Sequence, residues 1–223
     1  MTNGLTYAVG DIHGCAGLLE RLLARIEDHA AGEPHALVFL GDYIDRGPDS
    51  AGVIRLLRTL QWRDPERVTC LMGNHEALLL AALREPGGMD RWCMSGGEET
   101  LRSFGVHEAA AIPGEVLDWV EALPTVHSDA RRWYVHAGFR PGQEAPDPDI
   151  HTRLWIREPF LSEDHDFGRH VVHGHTPQKR GRPDIRAHRT NLDTAAVYGG
   201  ALTAGVFDGS RGPARDFLSV RAD

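Results

Sequence analysis

The chain has 223 residues, 41% of them hydrophobic, and a formal net charge of -8. That length allows one substantial core with at most a small appended segment. The acidic balance argues against nucleic acid or an anionic membrane as partner, since both call for clustered Lys and Arg.

Residues 5–9 form a short apolar strand that stops at Gly10-Asp11-Ile12-His13-Gly14. Leu18, Leu19, Leu22, Leu23 and Ile26 then recur at helical spacing. Residues 36–40 are a second strand, ending in Gly41-Asp42-Tyr43-Ile44-Asp45-Arg46. Gly47-Pro48 breaks the chain there, and Asp49-Ser50 caps a helix marked by Val53, Ile54, Leu57 and Leu60. Residues 68–72 are a third strand, ending in Gly73-Asn74-His75-Glu76 before a helix over residues 78–83. Strand, polar loop and helix thus alternate three times, which implies parallel strands with right-handed crossovers. Ligands bind at the carboxyl ends of such strands, so residues far apart in sequence converge there.

Residues 84–97 read as a Gly-rich loop or small cap near the site, with Met89 and Trp92 lining the cleft or anchoring that cap. Residues 98–104 and 114–123 are short helices. Residues 125–128 and 132–136 form a hairpin that turns at Asp129-Ala130 and runs into His136. A Pro-rich acidic loop over 141–149 precedes Trp155-Ile156-Arg157, and a strand at 170–172 feeds His173-Gly174-His175. Residues 191–207 and 217–220 supply closing strands. A strand-rich second half predicts a second sheet covering the first.

The polar residues at strand ends are Asp11, His13, Asp42, Asn74, His75, His136 and His175. All but His75 are read as ligands of two divalent ions. Oxygen and imidazole donors without thiolate suit Mn, Fe or Zn rather than softer ions. Manganese is the expected metal, with Fe, Zn, Ni and Mg as alternatives. A shared carboxylate can bridge ions about 3.5–4 Å apart, and such pairs perform in-line displacement at phosphorus. Two ions, the ligand carboxylates, a bridging hydroxide and two arginines leave the site roughly three charges positive, suited to a phosphomonoester dianion. His75 follows Asn74 directly, so the two side chains diverge. His75 is read as the acid that protonates the leaving group, with Asp45 as its carboxylate partner.

These motifs carry a resemblance. Gly10-Asp11-Ile12-His13-Gly14, Gly41-Asp42-Tyr43-Ile44-Asp45-Arg46-Gly47 and Gly73-Asn74-His75-Glu76 resemble the hallmark motifs of the phosphoprotein phosphatase family of metallophosphoesterases. His136-Ala137-Gly138, Gly174-His175-Thr176-Pro177 and Leu192-Asp193-Thr194 are similar to its remaining motifs, in the same order, and the short bacterial and phage branch matches best. The resemblance implies an α/β fold: a central β-sandwich of two mixed sheets flanked by helices, four layers in the order αββα. A single domain over 1–223, with a small cap around 84–123, is expected. The resemblance implies Asp11, His13 and Asp42 on one ion, and Asp42, Asn74, His136 and His175 on the other. It implies His75 as general acid supported by Asp45, and Arg46, Arg157 and Asn74 at the phosphate. Ala137 and Ala195 stand where relatives carry Gly; a positive φ at Ala195 should be unfavourable by about 1 kcal/mol.

Other residues read more plainly. His173 is core or support for the site, and His127, His151, His165, His170 and His188 are solvated. Arg131-Arg132 and Lys179-Arg180 read as ordinary solvated surface rather than docking patches, and Asp49 as a helix cap. The three cysteines, Cys15, Cys70 and Cys93, form no CxxC and read as reduced thiols. No basic leader and no run near the roughly 18 apolar residues of a membrane span is present, so a cytoplasmic location is expected. The expected function is a metal-dependent phosphomonoester hydrolase, a serine/threonine or tyrosine protein phosphatase acting on phosphoproteins, phosphopeptides or small phosphorylated compounds. A bis(5'-nucleosyl)-tetraphosphatase or other phosphoanhydride hydrolase of the same fold is the first alternative, and a non-catalytic phosphate-binding scaffold the second.

Overall fold

The computed structural model describes residues 4–222. The first part alternates as its periodicity predicts: β1 (Thr6–Val9), α1 (Ala16–Ala30), β2 (Ala36–Phe39), α2 (Ser50–Arg63), β3 (Val68–Cys70) and α3 (Asn74–Arg84). Next come α4 (Gly88–Trp92), a π-helical turn (Cys93–Gly97), α5 (Glu98–Phe104) and α6 (Gly114–Glu121). The remainder holds β4 (Val126–Ser128), β5 (Arg132–Val135), α7 (Ile150–Trp155), β6 (His170–His173), β7 (Asp184–Ile185), β8 (Arg189–Asn191), β9 (Leu202–Phe207) and β10 (Asp216–Val220).

The strands make two mixed sheets, ordered β10-β9-β1-β2-β3 and β4-β5-β6-β8-β7. In the first, β1, β2 and β3 are parallel, and β9 pairs antiparallel with both β1 and β10. In the second, β5, β6 and β8 are parallel, with β4 and β7 antiparallel at the edges. Each sheet therefore gathers the carboxyl ends of three parallel strands at one edge.

Strand alternation decides what lies between the layers. Ala8, Val38, Leu40 and Leu71 of the first sheet meet Tyr134, Val172 and Leu192 of the second. The neighbouring residues Tyr7, Val9, Leu37 and Phe39 point the other way, onto Leu19, Leu22 and Ile26 of α1 and Val53 and Leu57 of α2. With both faces covered, the strands read as unbroken apolar runs, and each fully buried large side chain contributes about 1.5–3 kcal/mol. The outer face of the second sheet presents Val135 and Val171 to Phe139 and Phe160.

Several local expectations change. α3 starts at Asn74 rather than Leu78, because the Glu76 side chain accepts from Gly73 N at 2.9 Å and stabilises the first turn. Residues 84–97, expected as a loop or small cap, contain α4 and the π-helical turn over 88–97, and α7 has no counterpart among the expected helices. Residues 191–207 are two strands of different sheets separated by a 3-10 turn. His170, expected in solvent, is buried: β6 is central, and His170 Nε2 meets Thr190 Oγ1 at 2.8 Å. Arg132 is likewise buried rather than surface, donating to Asp208 O at 2.8 Å with its guanidinium over the Phe207 ring. His173 is core, its ring packed edge-on against Phe160. Asp49 caps α2 by accepting from Gly52 N at 2.8 Å. Among the described residues no helix is long and apolar enough to cross a membrane.

Candidate metal centre

The loops after β1, β2, β5 and β6, together with the start of α3, bring Asp11, His13, Asp42, Asn74, His75, His136 and His175 together, all nearly or fully buried. Ligand atoms of His13, Asp42 and His75 lie within 4.8 Å of one another, as do those of Asp42, His136 and His175. Asp42 belongs to both groups. Its Oδ2 is 3.5 Å from His13 Nε2 and its Oδ1 3.4 Å from His136 Nε2. Asn74 Oδ1 lies 2.9 Å from His136 Nε2 and 2.8 Å from His175 Nδ1. Both oxygens of Asp11 accept from His175 N at 3.1 Å.

This donor set fits divalent cations. His13 Nδ1 donates to Ile44 O at 2.8 Å and His136 Nδ1 to Leu40 O at 2.9 Å, which turns each Nε2 inward. Burial pushes His13 and His175 down to about 3, so both rings are neutral and offer a lone pair. Burial, then Asp193 and Asp42, lifts the Asp11 carboxyl well above its usual range. Burial would also raise Asp42, but His136 and His75 hold it well below. Burial would lower His136, yet the Asp42 carboxylate lifts it to about 10. The proton drawn between acid and imidazole lies where a cation is favoured. Three buried carboxylates this close are unfavourable unless positive charge compensates them.

The backbone is forced into shape here. His13, Asp42, Asp45, Arg46, His175 and Ala195 all have positive φ, and Ala31 is the one such non-glycine residue elsewhere among the described residues. That clustering of left-handed conformations is characteristic of functional sites. Gly41 and Gly73 approach so closely that a Cβ on Gly41 would stand 2.6 Å from Gly73 N. Glu76 fastens the loop: Oε2 accepts from Asp42 N at 2.9 Å and Oε1 from Tyr43 N at 2.8 Å.

His75, a member of the first group, donates through Nδ1 to Asp45 Oδ2 at 2.7 Å. Asp45 is fully buried and also accepts from Trp92 Nε1 at 3.0 Å and Thr100 Oγ1 at 2.7 Å. Burial nevertheless lifts its carboxyl above the usual range. Arg46 Nη1 reaches His13 Nε2 at 2.7 Å. Arg157 is exposed, and its charge reaches the cluster as an influence that lowers His175.

Three residues of this network, Glu76, Asp193 and Thr100, had no role in the sequence reading, and Trp92 enters it only as lining the cleft or anchoring the cap. Glu76 stands within a motif, and its place three residues into a helix is a recognisable capping signal. Asp193 also lies within a motif; its carboxyl is raised to about 6 by burial and its Oδ1 accepts from Ala195 N. The contacts of Trp92 and Thr100 with Asp45 carry no sequence signal, since nothing local links either residue to it.

A family profile of calcineurin-like phosphoesterases matches residues 5–202. The chain belongs to this family. As a metallophosphoesterase it has a dinuclear site for divalent metal, to which the His/Asp clusters correspond. It is 35% identical over 205 residues to serine/threonine-protein phosphatase 1 of Salmonella typhimurium, covering 88% of this chain and 89% of that protein. It is 37% identical over 136 residues to the symmetrical bis(5'-nucleosyl)-tetraphosphatase of Dechloromonas aromatica, covering 61% of this chain and 44% of that protein. The chain thus spans less than half the length of that second relative. A solved structure described as a candidate diadenosine tetraphosphatase superposes with TM-score 0.68 and 27% identity, covering 99% of this chain and 94% of that one. A Saccharomyces cerevisiae serine/threonine phosphatase superposes with TM-score 0.66 at 16% identity, a likeness of fold alone. These structures share the phosphoesterase's two-sheet sandwich flanked by helices.

Proposed function

We propose that this metallophosphoesterase is a phosphoprotein phosphatase that cleaves phosphomonoesters of Ser, Thr or Tyr. The observation that carries the reading is the buried His75–Asp45 pair, 2.7 Å apart, with His75 itself in one of the two groups that share Asp42. Asp11, His13 and Asp42 are assigned to one ion, and Asp42, Asn74, His136 and His175 to the other, with manganese the expected metal. When bound, such ions acidify water to a nucleophile and neutralise phosphoryl charge.

The chain's own residues do the rest. Arg46 and Arg157 are assigned to the phosphoryl oxygens, where a guanidinium offers paired donors. His75 donates through Nδ1 to Asp45, which leaves Nε2 to deliver a proton to the departing alkoxide. Asp45 stabilises the imidazolium that carries that proton and fixes its orientation. The segment around 84–123 has a part in this reading, because Trp92 and Thr100 hold Asp45 from it.

Two facts favour protein phosphatase over tetraphosphatase. The likeness to the Salmonella phosphatase covers 88% of this chain and 89% of that protein, whereas that to the Dechloromonas tetraphosphatase covers 44% of the relative. A general acid also matters most for a poor leaving group such as a serine alkoxide, and less for a phosphoanhydride. The tetraphosphatase reading is supported by the 27% identical structure that the chain covers almost completely.

The test is a rate comparison. Purified protein is stripped of metal, titrated with Mn, Mg, Zn, Fe and Ni, and assayed on phosphopeptides and dinucleoside tetraphosphates side by side. A higher kcat/KM on phosphopeptide supports the proposal. A higher value on the dinucleotide replaces it with the second reading. Metal binding with no turnover of any phosphate ester points to a phosphate-binding scaffold.

A further inference from the structure

Pro177, Lys179, Arg180, Tyr198 and Arg221 line a pocket of about 510 Å³. It is built from chain that leaves the metal centre directly. Residues 177–181 follow His175 beyond β6, residues 195–200 follow Asp193 beyond β8, and Arg221 follows β10. Gln178 N donates to Asp193 O at 2.9 Å and Arg221 Nη2 to Gly181 O at 3.3 Å, so the three segments form one wall. Tyr198 is 61% exposed, and its ring centroid lies 5.7 Å from the Arg46 guanidinium carbon. The pocket therefore begins one ring's width from the arginine assigned to the phosphoryl group.

Its charge is one-sided. The lining carries Lys179, Arg180 and Arg221 and no carboxylate, in a chain of net charge -8. The Lys179 and Arg180 side chains make no hydrogen bond or ion pair among the described residues. Ordinary surface would explain exposed cations. It does not explain why carboxylates are absent from a concave lining next to the arginine assigned to the phosphoryl group when acids outnumber bases 32 to 24. A concave site lined by one sign of charge focuses the field on a ligand of the opposite sign.

We propose that this pocket is a second anion subsite, in which Lys179, Arg180 and Arg221 take a carboxylate or phosphate that the substrate carries beside its scissile phosphoryl group. Tyr198 forms the wall between the two anions. The expected ligand, an acidic residue flanking a phosphorylated one, rests on the phosphatase reading above. The second phosphate of a nucleotide offers the same chemistry.

The experiment measures kcat/KM on four substrates: a phosphopeptide with Asp beside the phosphoresidue, the same peptide with Ala there, a dinucleoside tetraphosphate, and an aryl phosphate. The wild type is compared with the double variant Lys179→Ala/Arg180→Ala. The wild type should prefer the Asp peptide by about three- to tenfold, as expected for one or two exposed ion pairs, with the preference shrinking at high salt. The double variant should lose that preference and keep its aryl phosphate rate, which reads the metal centre alone. Equal rates on the two peptides in the wild type, or an undiminished preference in the variant, overturns the subsite. If phosphopeptides are not turned over while aryl phosphate is, the phosphatase reading fails separately. The subsite then stands or falls on whether the variant loses rate on the tetraphosphate relative to aryl phosphate.

Discussion

The polar network between residues 42 and 100 and the basic rim between residues 157 and 221 are both assigned to one site but are held differently. In the network each functional side chain has buried partners: Asp45 accepts from His75, Trp92 and Thr100, and Glu76 accepts from Gly73, Asp42 and Tyr43. On the rim, Arg157, Lys179, Arg180 and Tyr198 are exposed. The difference teaches where precision is needed. Proton transfer and metal binding require atoms placed within a fraction of an ångström, whereas gripping an anion tolerates a flexible cation.

The largest effect expected within the network is at Asp42, the residue common to both clusters. Asp42→Ala should leave elemental analysis showing loss of bound metal, and kcat/KM should fall by more than about 10³-fold, because metal supplies several kcal/mol of transition-state stabilisation. Full metal occupancy in that variant removes the bridging assignment. Next in size, His75→Asn should lower kcat by about 10²–10⁴-fold with metal content unchanged. The loss should be smaller on aryl phosphates, whose leaving group needs no proton; an equal loss on alkyl and aryl esters would falsify the general-acid role.

Arg46 lies where network and rim meet. Arg46→Ala should weaken inhibition by free phosphate by roughly 10-fold or more, in line with about 1.5–3 kcal/mol for a charged hydrogen bond. Identical inhibition constants break that assignment. Trp92→Phe keeps the ring and removes one of the donors to Asp45. A loss of kcat near tenfold, accompanied by a shifted acidic limb of the pH–rate profile, is expected from one such bond. An unchanged profile reduces Trp92 to packing. The smallest effect is on the rim: Ala195 sits at φ 61° and ψ 42°, and Ala195→Gly should stabilise the fold by about 0.5–1 kcal/mol in urea denaturation. Lower stability in that variant means the left-handed backbone is not strained by its methyl group.

Much of the fold and of the site could be read from the sequence because the information is local. A polar residue placed where an apolar run stops, as at Asp11, Asp42, Asn74 and His136, sits at a strand's carboxyl end whatever the partner strands are. The Asp49 cap is legible for the same reason, since it involves a bond between neighbours. The burial of His170 and Arg132 was not legible, because a polar side chain in a strand looks the same whether that strand is central or at an edge. The helical turns of residues 88–97 are hidden by their glycines, which suggest a loop until Trp92 is seen anchored under Asp45.

The sequence alone determined the family, through motif order, and the alternation that sets three strand ends side by side, through periodicity; it also named the candidate metal ligands. Tertiary structure decided the rest. It placed Asp45 against Trp92 and Thr100, made Glu76 the fastener of the Asp42 loop, and set Tyr198 beside Arg46 at the mouth of a basic pocket. Those contacts join residues 33 to 152 positions apart, and no periodicity encodes which distant loops meet once two sheets stack.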